Sequence, residues 1–198
     1  MGKIAKINSQ KIRLCSQSPS RALLLSNAGV EFVQSPVDYN EEQIIASSPK
    51  NFVYQATLGK YQAALKSYDY HELPLLCSDT VVTSDNKILR KAKDIDDARR
   101  TLLTQSGNVT SIVSCMIYKS ERLELIDIST TDYIFDEFDK EDLEAYLCSG
   151  EWKGKAGGCM VEGFCKPYIK EVKGYESCAM GLSVEKLLPW IKTDSFSV

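Results

Sequence analysis

One segment near the start of the chain, residues 14–25, constrains the fold most because it changes from strand to helix with almost no connection. Its sequence is Leu-Cys-Ser-Gln-Ser-Pro-Ser-Arg-Ala-Leu-Leu-Leu. A short apolar strand ends at Leu14, and Pro19 suits the first position of a helix whose N-cap is Ser18. We expect this helix to end near Gly29. A strand that leads directly into a helix favours an α/β fold.

The turn within this segment carries groups that bind anions. The start of a helix offers free backbone N–H groups and the positive end of the helix dipole, and here Ser16, Ser18 and Arg21 accompany them. Phosphate is the anion that this combination favours. The alternative is that Ser18 only caps the helix and that Arg21 lies in solvent. Residues elsewhere in the chain are needed to distinguish these two interpretations.

Overall composition restricts the class of partner. The 198 residues carry 24 Lys plus Arg against 27 Asp plus Glu, a net charge of -3, which argues against electrostatic binding to nucleic acid or to an acidic membrane. No apolar stretch reaches membrane-spanning length and no secretory leader is visible, so we expect a soluble, cytoplasmic protein. A small anionic ligand in a local pocket is compatible with this charge.

The cysteines and the histidine exclude several kinds of site. The seven cysteines include no Cys-x-x-Cys pair, which argues against a disulfide framework or a zinc site and predicts reduced thiols. The single histidine, His71, lies in a polar stretch, which argues against a Ser-His-Asp or Cys-His nucleophile system.

The remaining pattern predicts alternating strands and helices in a single domain over residues 1–198, with the first ten residues loose. Predicted strands cover residues 12–14, 31–35, 73–83, 88–89, 109–118, 123–134, 160–172 and 179–182. Predicted helices cover residues 19–28, 49–68, 94–105, 140–148 and 184–191.

Asp79 interrupts the most apolar of the predicted strands. A buried carboxylate is costly, so such a residue either sits at the end of its strand or is held there for metal or proton chemistry. The apolar run continues through Val81 and Val82, which weakens the first interpretation.

Four other charged residues stand out from their surroundings. Glu41 follows the second strand, where an α/β sheet places ligand groups, although acidic loops are usually just solvated. Lys60 lies beside the apolar face of a helix, where most lysines only extend towards solvent. Lys91 belongs to a cationic cluster. Lys155 precedes two glycines, but Ala156 and the wrong spacer exclude a Walker A loop.

Taken together, the polar and charged residues described above, which stand out from their apolar surroundings, fit a magnesium-bound polyphosphate. A hard cation that keeps most of its waters needs only one or two carboxylates, and lysine and arginine neutralise phosphate oxygens. A remaining carboxylate can accept a proton from water, so no covalent nucleophile is needed.

The order and spacing of these motifs resemble the Maf family of nucleoside triphosphate pyrophosphatases, named for septum formation. The resemblance extends from Ile12 to Leu188. It rests on Leu14-Cys-Ser-Gln-Ser-Pro-Ser-Arg, Phe52-Val-Tyr with Gly59-Lys60, Ser78-Asp-Thr-Val-Val, Arg90-Lys-Ala-Lys-Asp, Gln105-Ser-Gly, Lys155-Ala-Gly and Gly181-Leu. The stretch 156–169 is similar to a divergent branch in Helicobacter- and Campylobacter-like bacteria.

The resemblance implies a fold, an activity and a cofactor. The family fold is an elongated, two-lobed α/β structure with a central mixed sheet and a deep cleft, related to inosine triphosphate pyrophosphatases. The implied reaction hydrolyses a nucleoside triphosphate at the α-phosphorus to a monophosphate and pyrophosphate, with a divalent metal cation, Mg or Mn. Neither nucleic acid nor membrane is implied as a partner, and a homodimer is an allowed assembly.

Carried over by position, the resemblance assigns roles to individual residues. Asp79 is implied as the general base, and Glu41 is implied to hold the metal together with it. Phosphate contacts are implied for Ser16, Ser18, Arg21, Lys60 and Lys91, with Lys155 close to the cleft.

Departures from the family pattern concern substrate choice. Ser20 stands where many members have a second arginine, and Glu162 stands where many have glutamine. Ionised glutamate only accepts hydrogen bonds, which favours the adjacent N–H donors of guanine or 7-methylguanine over a pyrimidine. Thr80, in contrast, is the residue of the pyrimidine type, so the preferred base stays open.

Two other functions compete with the enzyme. One is a nucleotide-binding regulatory module of cell division that acts through protein contacts, and the other is an α/β domain whose polar exceptions are structural. A pure binder needs no general base, so the combination of Asp79, Glu41, Lys60 and Lys91 favours hydrolysis.

Overall fold

The computed structural model of the chain describes residues 11–159 and 161–195, so the predicted loose start, residues 1–10, lies outside the described residues. The strands are β1 (Ile12–Leu14), β2 (Phe32–Gln34), β3 (Leu75–Ser84), β4 (Lys87–Leu89), β5 (Val109–Lys119), β6 (Glu124–Phe135) and β7 (Ile169–Lys173). The helices are α1 (Pro19–Asn27), α2 (Pro49–Ser67), α3 (Ile95–Gln105), α4 (Lys140–Ser149), α5 (Glu176–Ala179) and α6 (Val184–Ser195), with 3-10 turns at Glu41–Gln43 and Lys166–Tyr168. No helix in the described ranges combines the length and apolarity that crossing a bilayer requires.

The strands form a mixed sheet in the order β2-β1-β3-β5-β6-β7, and β4 adds to β3. β1 is parallel to β2 and β3, whereas the β3–β4 and β6–β7 pairs are antiparallel. The predicted α/β class with a central mixed sheet is therefore confirmed.

The chain divides into two compact units, and β3, β5 and β6 contribute a segment to each. The described residues of unit 1 are 11–80, 114–129 and 175–195, and those of unit 2 are 81–113, 130–159 and 161–174. The core of unit 1 packs α1 and α6 against β1 and β3 through buried residues that include Leu14, Leu25, Leu76 and Leu187.

Local signals place several elements where the sequence predicts them. The Ser18 hydroxyl caps α1 by accepting from the Arg21 N–H, with Pro19 in the first turn. Asp139 caps α4 by accepting two backbone N–H bonds, and Gly150 ends this helix in the left-handed conformation at φ 73°. Because these signals act over a few residues, they can be read without knowledge of the tertiary structure.

Two predicted strands near the end of the chain are wrong in part or in full. Of the strand predicted over residues 160–172, Met160 lies outside the described residues, 161–165 form turns, and a strand begins at Ile169. Pro167 has no N–H to donate to a ladder, which favours the 3-10 turn found there. The strand predicted over residues 179–182 is absent, because α5 ends in this stretch and Gly181 follows at φ 104°.

The expectation of reduced thiols is wrong for two of the cysteines. Cys159 and Cys165 form a disulfide, with their Cα atoms 6.2 Å apart. The turns between these residues bring the two cysteines into range, which the absence of a Cys-x-x-Cys spacing does not exclude. Cys77 on β3, Cys115 on β5 and Cys15 directly after β1 are buried thiols of unit 1.

Candidate active site

The centre of the candidate site is Lys60, which lies between two carboxylates of unit 1. Its Nζ is 2.5 Å from Glu41 Oε1 and 2.5 Å from Asp79 Oδ1. Lys60 comes from α2, Asp79 from the interior of β3, and Glu41 from the first residue of the 3-10 turn. Three segments far apart in sequence therefore meet at one ammonium group.

Asp79 is the most buried member of this group. Its side chain is 9% exposed, against 18% for Lys60 and 40% for Glu41. Burial raises the pKa of Asp79 above its usual value, and the neighbouring Glu41 acts in the same direction, although Lys60 and Arg21 oppose both effects. The net effect is a raised pKa, because one ammonium group shared between two carboxylates compensates each of them incompletely. A carboxylate of this kind is suited to accept a proton.

The loop between β1 and α1 holds its hydroxyl groups in fixed positions. The Ser18 N–H donates to Ser16 Oγ at 3.2 Å, and Ser18 Oγ accepts from the Arg21 N–H at 3.4 Å. Gln34 of β2 donates from Nε2 to the Ser16 carbonyl at 2.7 Å. The loop is thus ordered from within and from the neighbouring strand.

Arg21 does not lie in solvent. Its guanidinium is buried and donates from Nε to the Gly181 carbonyl at 2.9 Å, from Nη1 to Ser16 Oγ at 2.9 Å and from Nη2 to Thr80 Oγ1 at 3.0 Å. Thr80 Oγ1 also shares a hydrogen bond of 2.8 Å with Ser114 Oγ. Burial lowers the pKa of Arg21, while the charges of Asp79 and Glu41 raise it. Arg21 therefore connects the loop to β3, and it also lines the cavity of unit 1.

A cavity of about 310 Å³ opens between this loop and the segment that follows β2. Polar groups dominate its walls, with both hydroxyls of the loop, a guanidinium, an ammonium and two carboxylates. The residues that supply these groups are Ser16, Ser18, Arg21, Lys60, Asp38 and Glu41. Such a cavity offers hydrogen-bond donors to an anion and carboxylate oxygens to a cation.

The other predicted site residues are distributed as follows. Ser20 is exposed on the first turn of α1, in unit 1. In unit 2, an antiparallel bridge pairs Lys91 with Ala156, which brings Lys91 beside the Lys155 segment. Glu162 is exposed in a turn of the same unit.

Unit 2 also fixes the glycine segment that follows Lys155. The Gly157 N–H donates to the Arg90 carbonyl at 3.2 Å, and Gln105 Nε2 donates to the Gly157 carbonyl at 2.6 Å. Gln105 is fully buried at the end of α3. Its side chain therefore acts as a structural anchor of the Lys155 segment.

Glu41 and Asp79 are acidic side chains of unit 1 that can donate oxygens to a divalent cation. Glu41 Oε1 and Asp79 Oδ1 each lie 2.5 Å from Lys60 Nζ, so a cation shared by both carboxylates would take the place of this ammonium group. Among the described residues, no group of three or more His, Cys, Asp or Glu side chains forms a complete protein cage. Two carboxylates without further protein ligands match Mg²⁺, which keeps several of its waters.

Sequence analysis missed four residues that shape this site. Gln34, Ser114 and Gly181 act through hydrogen bonds from other strands and loops, and Tyr39 lines the cavity next to Glu41. A tyrosine within a polar, acidic loop is the one local signal that could have drawn attention. The other three contacts depend on tertiary structure alone.

Comparison with known proteins shows close relatives over most of the chain. Residues 11–193 match the model of a family described as Maf-like protein. A nucleoside triphosphate pyrophosphatase from Nitratiruptor sp. is 54% identical, covering 89% of this chain and 96% of its own length. One from Helicobacter pylori is 37% identical, covering 90% and 94% respectively. A dTTP/UTP pyrophosphatase from Saccharophagus degradans is 32% identical, covering 88% and 84%.

We expect Asp79 to make the folded chain less stable as the pH rises. The pKa of Asp79 is higher in the folded state than in the unfolded state, so the folded state binds more protons at pH values between these two pKa values. The free energy of unfolding therefore falls as the pH rises through that range. Asp79→Asn removes this dependence, so the stability of the variant relative to the wild type should increase from about pH 4 upwards. Urea unfolding at a series of pH values measures this difference. A difference that stays flat or decreases would contradict the raised pKa.

Proposed function

Because the chain belongs to the Maf family, we propose that it hydrolyses a nucleoside triphosphate to the monophosphate and pyrophosphate. The observation that carries this proposal is the Glu41–Lys60–Asp79 group beside a cavity lined with anion-binding donors. The names of its relatives from Nitratiruptor and Helicobacter support the same reaction.

Asp79 is the proposed general base. Its carboxylate takes a proton from water while the water oxygen attacks the α-phosphorus, and the bond from that phosphorus to the bridging oxygen breaks to release pyrophosphate. The raised pKa of Asp79 makes the ionised carboxylate a stronger base. Lys60 keeps this carboxylate ionised and stabilises charge on the phosphate oxygens as the bond breaks.

The proposed cofactor is Mg²⁺ or Mn²⁺ on Glu41 and Asp79. When bound, such a cation neutralises phosphate charge and polarises the phosphorus–oxygen bond. The two carboxylates would hold it, and Lys60 limits the mutual repulsion of the carboxylates when no cation is bound.

Proposed phosphate contacts lie within each unit. In unit 1, Ser16, Ser18 and Arg21 line the cavity, and the Gly181 carbonyl accepts from Arg21 Nε, which orients that guanidinium. In unit 2, Lys91 and Lys155 are cations on two segments that a backbone bridge holds together. We propose each of these residues as a phosphate contact.

We also propose that Glu162 and Ser20 shift base preference away from pyrimidines. An exposed carboxylate accepts the paired N–H donors of guanine but repels the carbonyl groups of thymine or uracil. Thr80 is held by Arg21 and Ser114, which supports a structural role rather than a reading of the base.

The setting proposed for this activity is the cytoplasm, where nucleoside triphosphates are made and used. A connection with septum formation would then follow from the removal of particular nucleotides. Hydrolysis is favoured over a purely regulatory binding role, because binding alone does not require a base in the interior of β3.

We expect Asp79→Asn to abolish turnover while nucleotide affinity stays within about tenfold of the wild type, because the amide keeps the shape of the side chain but accepts no proton. Pyrophosphate release and equilibrium titration measure the two quantities. Asp85→Asn, at an exposed turn between β3 and β4, is the control and should retain wild-type turnover. Substantial turnover by the purified Asp79→Asn variant would exclude the base role.

Lys60→Ala should lower kcat/KM by an amount equivalent to about 2–4 kcal/mol, as for other preorganised groups that stabilise charge in a transition state. Lys66→Ala, an exposed lysine of the same helix, is the matched control. If the two variants differ by less than about twofold in kcat/KM, Lys60 has no electrostatic role in catalysis.

The wild type should hydrolyse GTP or 7-methyl-GTP at least as well as dTTP and UTP, and Glu162→Gln should shift the ratio towards the pyrimidines, because the amide adds a donor. A panel of triphosphates with pyrophosphate release as readout measures the ratio. Strong wild-type selectivity for dTTP or UTP that Glu162→Gln leaves unchanged would show that this residue does not contact the base.

A further inference from the structure

Helix α2 contains a glycine, Gly59, where its backbone does not need one. Gly59 is buried in the interior of the helix, and it is not among the glycines with positive φ. An interior glycine destabilises a helix relative to alanine, because it loses more conformational freedom on folding. A packing contact therefore has to explain why position 59 is a glycine.

The reason is the ring of Tyr39. A Cβ atom on Gly59 would overlap Cζ, Cε1 and Cε2 of Tyr39, which are the three atoms nearest to that position. The hydroxyl end of the ring thus lies directly on the helix backbone, in space that any other residue would fill.

Two contacts join the same two segments. Tyr39 covers Gly59, and two residues further along its segment Glu41 reaches Lys60, the next residue of the helix. The Glu41 side chain is 40% exposed, and an ion pair with that exposure contributes little to stability by itself. Tyr39 is 38% exposed overall, but its ring covers the backbone of Gly59, which is buried, and so keeps water from that part of the helix.

We propose that Tyr39, seated on Gly59, is a positioning residue that holds Glu41 at Lys60 in the geometry that a divalent cation requires. This inference rests on the proposed function, in which Glu41 is a metal ligand. Gly59, which has no side chain, leaves the space that the Tyr39 ring occupies. Tyr39 acts through Glu41 without contact to the reacting atoms.

The proposal is tested with Tyr39→Ala, Tyr39→Phe, Gly59→Ala and the Tyr39→Ala/Gly59→Ala double variant, with Gln62→Ala on the exposed face of α2 as control. The first readout is hydrogen exchange of residues 37–44 in metal-free protein. The second is Mn²⁺ affinity by electron paramagnetic resonance. Thermal unfolding of each variant identifies effects that come from a general loss of stability.

We expect Tyr39→Ala and Gly59→Ala each to speed exchange in residues 37–44 and to weaken Mn²⁺ binding by about 10-fold, the usual cost of losing a residue that orients a ligand. Tyr39→Phe keeps the ring and should behave as the wild type. In the Tyr39→Ala background, Gly59→Ala should raise the Tm and cause no further loss of Mn²⁺ affinity, because the ring that it would displace is already absent.

Unchanged exchange and Mn²⁺ affinity in Gly59→Ala would overturn the proposal, as would the full effect of Gly59→Ala in the double variant. A rise in nucleotide KM for Tyr39→Ala with Mn²⁺ affinity unchanged would instead make Tyr39 a contact of the substrate. Both readouts need no turnover, so failure of the wild type to hydrolyse any triphosphate would refute the proposed function without affecting this test.

Discussion

The site depends on one ammonium group shared by two carboxylates. Asp79 lies in the interior of a strand, where an unpaired charge would be strongly unfavourable, and Lys60 is the cation that makes its ionised form tolerable. Glu41 competes for the same ammonium group. Since one ammonium group compensates two carboxylate charges incompletely, the effect of burial on the pKa of Asp79 exceeds that of Lys60. The pKa of Asp79 is therefore raised, which is the property a general base requires.

The position of Lys60 follows from the packing of α2. On either side of it the helix is anchored in the interior of unit 1: Thr57 donates to the Val53 carbonyl, and Tyr61 and Ala64 belong to a cluster with Cys77. These contacts direct Lys60 towards β3. The loop after β1 is ordered by separate contacts, from Gln34 and Arg21, so contacts within the protein position both halves of the site.

Features set by local chemistry could be predicted from the sequence. The Ser18 cap, the Asp139 cap and the Asp85–Asn86 turn, whose residues have φ 50° and 57°, each depend on a few neighbouring residues. Asp79 could be recognised because it contradicts the apolar pattern of its strand. The family itself could be predicted because the motifs keep their order along nearly the whole chain.

Features set by distant contacts could not be predicted. The sequence predicts either a phosphate contact or a solvated side chain for Arg21, yet its guanidinium binds Thr80 and the Gly181 carbonyl, which are remote in sequence. The Cys159–Cys165 disulfide depends on turns that look like a strand in the sequence pattern. The contact between the Tyr39 ring and Gly59 likewise joins two residues that are 20 positions apart in the sequence.

In the proposed reaction, water that Asp79 deprotonates attacks the α-phosphorus. Hydrolysis of a nucleoside triphosphate in water enriched in oxygen-18, with mass spectrometry of both products, identifies the phosphorus atom that is attacked. We expect one labelled oxygen in the nucleoside monophosphate and none in the pyrophosphate. Label in the pyrophosphate, or products consisting of a nucleoside diphosphate and phosphate, would contradict it.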